Sequence, residues 1–192
     1  FAELAAWYSC RESGQPDIRG IVFRDTMGAV HTTAPRPCLD MDKLPFLYDS
    51  LEDFENRIIY YESSRGCPFS CSYCLSSIDK SVRFRSTEKV KRELAFFLEQ
   101  KVPQVKFVDR TFNCRHSHAM EIWRFIREHD NGVTNFHFEI AAELLSEEEL
   151  ALLNTFRPGL AQMEIGVQST TPKTLAEINR ISDFENLSAI VR

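Results

Sequence analysis

No stretch of this 192-residue sequence stays apolar for long enough to span a bilayer, and its opening residues lack the basic, apolar and small-residue succession of a secretory signal. A membrane location is therefore not expected. Excess positive charge is missing too: 23 basic against 28 acidic residues give a net charge of −5, so no general field recruits nucleic acid. Six cysteines without a secretory signal point to a reducing compartment, the cytoplasm. A second cysteine pair of the kind that completes a zinc framework is absent. The first residue is Phe rather than Met, and the expectation is a piece of a longer protein.

What the sequence does hold is concentrated in Arg65-Gly66-Cys67-Pro68-Phe69-Ser70-Cys71-Ser72-Tyr73-Cys74, where cysteines stand at C-x3-C-x2-C spacing just after a predicted strand. Three thiolates within eight residues can converge on one metal centre, and soft sulfur ligands favour zinc or an iron–sulfur cluster. A cubane cluster normally takes four cysteines, so three local ligands leave one iron without a protein partner. An open coordination position separates a metal that reacts from one that only holds a fold together. The alternative is a non-catalytic zinc-binding module that takes its fourth ligand from Cys114, His116 or His118.

At 43% hydrophobic, with fifteen Phe, the chain is long enough for one domain with an aromatic-rich core. Residues 1–15 read as the end of a helix, with Leu4, Trp7 and Tyr8 apolar. Ile18 to Thr33 reads as a hairpin turning at Asp25-Thr26-Met27-Gly28, and Pro35 and Pro37 end it. Residues 40–56 read as linker, turn or short helix, which makes 1–56 a connector and places a boundary before Arg57.

From Arg57 a strand, loop, helix pattern repeats. Predicted strands are Ile58–Tyr61, Val105–Val108, Phe136–Ile140 and Met163–Val167. Between them, Thr87 is expected to cap a helix striped by Val90, Leu94, Phe97 and Leu98, and Ala119, Ile122, Trp123 and Ile126 stripe the next. Ser146-Glu147-Glu148-Glu149 reads as a capping box, with Leu145 and Leu150 as its staple. Thr171-Pro172 starts a helix with proline at its first position, and Phe184, Leu187 and Ile190 mark a further helical stretch. Four βα units in succession mean a parallel sheet with right-handed crossovers, and function gathers at the carboxyl ends of such strands.

Those ends carry polar residues. Glu139, within Phe136-His137-Phe138-Glu139-Ile140, is costly unless it points into a polar pocket. Asp109 follows the second strand and suits a helix cap, a pairing with Arg110, or a cationic ligand group. Gln168 and Ser169 follow the fourth, and an amide both donates to and accepts from hydroxyls.

The cysteine loop with Tyr73 before its last cysteine resembles the C-x3-C-x-aromatic-C signature of the radical SAM enzymes, and Gly166-Val167-Gln168-Ser169 resembles a sequence found at the same place in many of them. The resemblance implies a [4Fe–4S] cluster on Cys67, Cys71 and Cys74, with S-adenosylmethionine chelated to the vacant iron. The reduced cluster then cleaves the sulfonium to a 5′-deoxyadenosyl radical that abstracts hydrogen, and the cofactors carry this chemistry. It further implies Tyr73 near the adenine, Asp109 near the methionine amino end, Glu139 against S-adenosylmethionine, and Gln168 with Ser169 near the ribose. The implied fold is α/β, a partial (β/α) barrel over 57–192 with about four of six βα units, preceded by the hairpin segment. A fragment of that kind would be catalytically incomplete. The front section resembles, more weakly, the connector of cobalamin-dependent members, implying cobalamin held outside this chain. Methyl transfer, ring formation or hydrogen abstraction on a small-molecule or cofactor substrate would follow, with an external flavodoxin or ferredoxin as electron donor. No acid, base or nucleophile for the substrate is assigned.

Other residues read plainly. Arg83 and Arg85 suit a solvated turn, Cys114, His116 and His118 the partly exposed start of a helix, and Trp123 the core. His137 suits either core or a pocket wall, and Cys10 and Cys38 are ordinary thiols.

Overall fold

The computed structural model describes residues 1–10, 16–78 and 80–191. Two compact units are present, Phe1–Leu39 and Asp40–Arg192. The smaller has a helix α1 (Ala2–Ser9) and the antiparallel hairpin β1 (Val22–Arg24) and β2 (Val30–Thr32). Its turn is held as the sequence suggests: Asp25 Oδ1 accepts from the Met27 and Ala29 N–H groups at 2.9 Å each, and Gly28 takes φ +83°. The expected helical residues 11–15 lie outside the described residues.

The larger unit runs β3 (Ile59–Tyr61), β4 (Ser64–Arg65), β5 (Arg83–Phe84), α2 (Thr87–Glu99), β6 (Gln104–Phe107), α3 (His116–Glu128), β7 (Asn135–Ile140), α4 (Glu147–Leu153), β8 (Ala161–Ile165), α5 (Pro172–Glu177) and α6 (Phe184–Val191). Strands β3, β6, β7 and β8 form one parallel sheet in sequence order, so each βα unit sits beside its predecessor. This is the expected α/β architecture: an open four-stranded segment of a barrel.

Period-two alternation sorts the two faces of the sheet. Ile59, Tyr61, Val105, Phe107, Phe136 and Phe138 are buried on the helical side, where Phe112 and Trp123 join them. The Phe112 ring lies 4.5 Å from Phe138 and 5.4 Å from Trp123, centroid to centroid. On the other face Tyr60, Lys106, His137 and Gln162 stand in one row through the strand register.

The helix stripes pack as the periodicity requires, with Val90, Leu94, Phe97 and Leu98 buried on α2 and Ala119, Ile122, Trp123 and Ile126 on α3. Both halves of the α4 capping box form, and Pro172 occupies the first turn of α5. The cap of α2 differs from expectation: Thr87 is already helical and Ser86 holds the cap position without a side-chain cap bond. Its N–H donates instead to Asp42 Oδ1 at 2.8 Å.

That bond also shows why the compact unit begins at Asp40 rather than Arg57. Met41 is buried, Tyr48 Oη donates to the Tyr60 carbonyl at 2.7 Å, and the Phe46 and Tyr48 rings lie 5.5 and 5.4 Å from Phe97. Residues 40–56 therefore pack with the sheet they precede. No helix among the described residues is long and apolar enough to cross a membrane.

Candidate metal centre and its cleft

Strand β3 delivers the chain to the carboxyl edge of the sheet, where Ser63 and Ser64 lead into the cysteine loop. Gly66 has φ +105°, and a Cβ there would lie 2.8 Å from the Ser81 carbonyl oxygen, so only glycine lets the outgoing and returning limbs pass so closely. The returning limb, β5, pairs antiparallel with β4 and closes the loop at its base. At its far end the loop docks on the C-terminus of α5. The Ser72 N–H donates to the Ile178 carbonyl, and Asn179 Nδ2 donates to the Ser70 carbonyl, both at 2.9 Å.

Cys67 and Cys71 are buried and Cys74 is half-buried. All three line one cleft of about 240 Å³. The Ser76 backbone N–H and hydroxyl at the Cys74 sulfur, with the Ser77 N–H, hold its thiol below the ordinary range despite partial burial. Cys67 Sγ lies 3.6 Å from Thr111 Oγ1.

The strand ends supply the remaining walls: Arg110 and Thr111 after β6, Glu139 to Ala141 at the end of β7, and Glu164, Gly166 and Gln168 at and after β8. Tyr73 also borders the cleft, its phenol pushed up by partial desolvation and by the neighbouring Cys71. Glu164 Oε2 lies 3.0 Å from both Lys106 Nζ and His137 Nε2, and Glu139 Oε1 lies 3.9 Å from the same lysine. The Lys106 side chain, first by hydrogen bonding, holds the Glu164 carboxyl below the usual range, so it is an anion at neutral pH. Arg180 borders the cleft from beyond α5; its Nη2 donates to the Gly166 carbonyl at 2.8 Å while its buried Nε has no partner.

Of the residues singled out in the sequence, Cys67, Cys71, Cys74, Tyr73, Glu139 and Gln168 meet here. Two do not. Asp109 is fully buried beneath the cleft, where Oδ1 accepts from Ser63 Oγ at 2.7 Å and Ser64 Oγ at 2.5 Å, and Oδ2 accepts from the Ser63 N–H at 3.0 Å. Fully buried and bound to these donors, it does not border the cleft. Ser169 lies outside the cleft lining, and its Oγ accepts the Thr171 N–H at 3.1 Å in the turn before α5.

Two surface readings are also corrected. Arg85 is buried, not solvated, and its Nη1 donates to Glu93 at 2.7 and 2.9 Å. His118 is buried rather than partly exposed, with Nε2 3.1 Å from Ser63 Oγ.

Sequence reasoning passed over Glu164, Arg110 and Arg180. The alternation Gln162, Glu164 along β8 could have flagged the first. Nothing in the sequence flags Arg180, which follows Asn179 at φ +54° just beyond α5.

Three cysteines bordering one cleft suit a cluster held by three protein ligands. Among the described residues, no group of three or more His, Cys, Asp or Glu side chains is gathered as a single ion requires. In a cubane cluster each cysteine thiolate binds a different iron. Two of the fourth ligands proposed for zinc, His116 and His118, are engaged elsewhere. His116 lies 3.2 Å from Glu149 and 3.4 Å from Glu148, His118 turns to Ser63, and burial pushes the Cys114 thiol up to about 11.

A family model described as the radical SAM superfamily matches residues 61–192. An uncharacterized methyltransferase of Pyrococcus horikoshii is 25% identical over 184 residues, covering 90% of this chain and 39% of that protein. The bacteriochlorophyllide d C-12(1)-methyltransferase of Chlorobaculum tepidum is 28% identical over 142 residues, 71% of this chain and 30% of its own length. The cobalamin-dependent S-adenosylmethionine radical enzyme OxsB, solved with aqua-cobalamin and S-adenosylmethionine bound, shares the fold. Its TM-score is 0.79 at 18% identity, over 100% of this chain and 30% of that one. The chain thus spans two fifths or less of the length of each.

Proposed function

Because the chain belongs to the radical SAM superfamily, we propose that Cys67, Cys71 and Cys74 hold a [4Fe–4S] cluster whose fourth iron takes S-adenosylmethionine in the adjoining cleft. The observation that carries this reading is that three cysteines from one loop meet Glu139, Gln168 and Arg180, from later βα units, around a single cavity. When bound, the pair supplies one-electron cleavage of a sulfonium bond and, from it, hydrogen-atom abstraction.

The side chains of this chain have complementary tasks. Glu139 and Glu164 give one wall a negative field suited to a ligand carrying sulfonium and ammonium charge. Arg180 brings a buried, unpartnered Nε–H that suits a carboxylate. Gln168 offers its amide to ribose hydroxyls, and Tyr73, half-exposed at the rim, offers its ring to adenine. Buried Cys67 and Cys71 keep solvent from the inner face of the cluster.

The full protein is proposed to be an enzyme of the cobalamin-dependent group that transfers a methyl group or closes a ring on a small-molecule or cofactor substrate. Methyl transfer is favoured because both relatives named above are methyltransferases. Cobalamin would be held by a part of the protein outside this chain, with an external flavodoxin or ferredoxin as electron donor and the reducing cytoplasm as compartment.

Anaerobic reconstitution with iron and sulfide tests the reading. Iron and sulfide should bind in equal amounts, about four of each per chain, and fall sharply in Cys67→Ala, Cys71→Ala and Cys74→Ala. Binding unaffected by all three substitutions would contradict it.

A further inference from the structure

Asp109, fully buried and outside the cleft lining, accepts three hydrogen bonds from the two serines that precede the cysteine loop. Ser63 and Ser64, its partners, are the last residues before the cysteine loop departs, and they sit 46 and 45 positions away in sequence. Both limbs of the loop are tied to this point. The outgoing limb is held directly through the two hydroxyls and the Ser63 N–H. The returning limb is held because Ser64 pairs with Phe84 in the β4–β5 ribbon and the Arg85 N–H donates to the Ser63 carbonyl at 2.9 Å.

The network also assigns a proton. Ser63 Oγ spends its only hydrogen on Asp109 Oδ1, so its 3.1 Å contact with His118 Nε2 requires that nitrogen to be the donor. His118 thereby carries a hydrogen on Nε2 and braces the serine from α3. Two residues beyond Asp109, Thr111 reaches the Cys67 sulfur. One short segment after β6 thus grips the loop at its root and at its first cysteine.

We propose that Asp109 is a positioning residue for the cysteine loop: its buried carboxylate binds Ser63 and Ser64 and so fixes where Cys67 and Cys71 present their sulfurs. The proposal rests on reading Cys67, Cys71 and Cys74 as the metal-holding set. A carboxylate suits the task because all three of its partners are donors. Asp109→Asn keeps the shape but turns one acceptor into a donor facing them.

The test is thiol labelling of the apoprotein with iodoacetamide under native conditions, resolved residue by residue by mass spectrometry. Cys67 and Cys71, 9% and 6% exposed, should label slowly in the unaltered protein, and exposed Cys10 rapidly. In Asp109→Asn, Cys67 and Cys71 should label about tenfold faster, the scale of losing one or two charge-assisted hydrogen bonds, with Cys10 unchanged. Far-ultraviolet circular dichroism shows whether that variant folds; if it does not, Ser64→Ala, which removes one hydroxyl alone, is read in the same way and should accelerate the same two cysteines.

In reconstituted protein the cluster midpoint potential should shift in whichever variant folds, a change that mere global destabilisation does not produce. Unchanged Cys67 and Cys71 labelling in a folded variant overturns the proposal. The labelling needs no cluster, so this outcome is distinct from failure of the unaltered protein to assemble one.

Discussion

A Cβ placed on Gly166 would lie 2.6 Å from Gln168 Nε2. The Gln168 side chain folds back over a residue that has none, from a backbone held at φ +64°. The Gly-x-Gln spacing is therefore a steric pairing: the glycine makes room for the amide at the cleft.

Gly166→Ala should displace the amide, the movable end of a flexible side chain, with little cost to the fold. S-adenosylmethionine binding to reconstituted protein should weaken about tenfold, equivalent to ~1.4 kcal/mol, the scale of a lost hydrogen bond. Equilibrium dialysis measures it. Unchanged affinity would remove Gln168 from the ligand contacts.

The buried ion pair of Arg85 and Glu93 makes a second prediction. Glu93 accepts from Arg85 and from Tyr61 Oη at 2.6 Å, tying the limb after β5 to α2 and β3. Glu93→Ala strands a buried guanidinium and should cost ~3–5 kcal/mol in urea unfolding. A loss below ~1 kcal/mol would mean that solvent reaches Arg85 once the carboxylate is gone.

A third prediction concerns pH. Burial lowers His118 to about 4 from an ordinary 6.5, so between these values the unfolded chain holds a proton there that the folded chain does not. Its contribution to stability therefore grows as pH rises through that window. Burial of Asp109 raises its pKa from 3.8 to about 6, so the folded chain holds the extra proton and that contribution shrinks as pH rises. The two slopes oppose each other. His118→Phe removes one, and the stability of the unaltered protein relative to this variant should increase by about 1 kcal/mol per pH unit between pH 4 and 6. Urea titrations at pH 4, 5 and 6 read it directly; a pH-independent difference would contradict the assignment of His118 as a buried neutral ring.

The sequence made legible what is local or periodic. The stripes of α2 and α3, the box that starts α4 and Pro172 in the first turn of α5 each depend on neighbours within a few positions. The cysteine loop and Gly166 to Gln168 were legible as motifs. Asp109 was not, because its place at a strand end suits a ligand contact equally well and only the fold brings two serines onto it. Arg85 looked solvated since its partner Glu93 lies on the inward face of the next helix. Arg180 follows a left-handed residue just beyond α5, which no side-chain pattern announces.

In the proposed site the three cysteines leave one iron open to S-adenosylmethionine. Low-temperature electron paramagnetic resonance of the anaerobically reconstituted, dithionite-reduced protein, recorded with and without S-adenosylmethionine, tests it most directly. The expected result is a reduced [4Fe–4S] signal that changes on adding S-adenosylmethionine and is lost in Cys71→Ala. Tightly bound zinc in place of a cluster, or a cluster signal indifferent to S-adenosylmethionine, would contradict it.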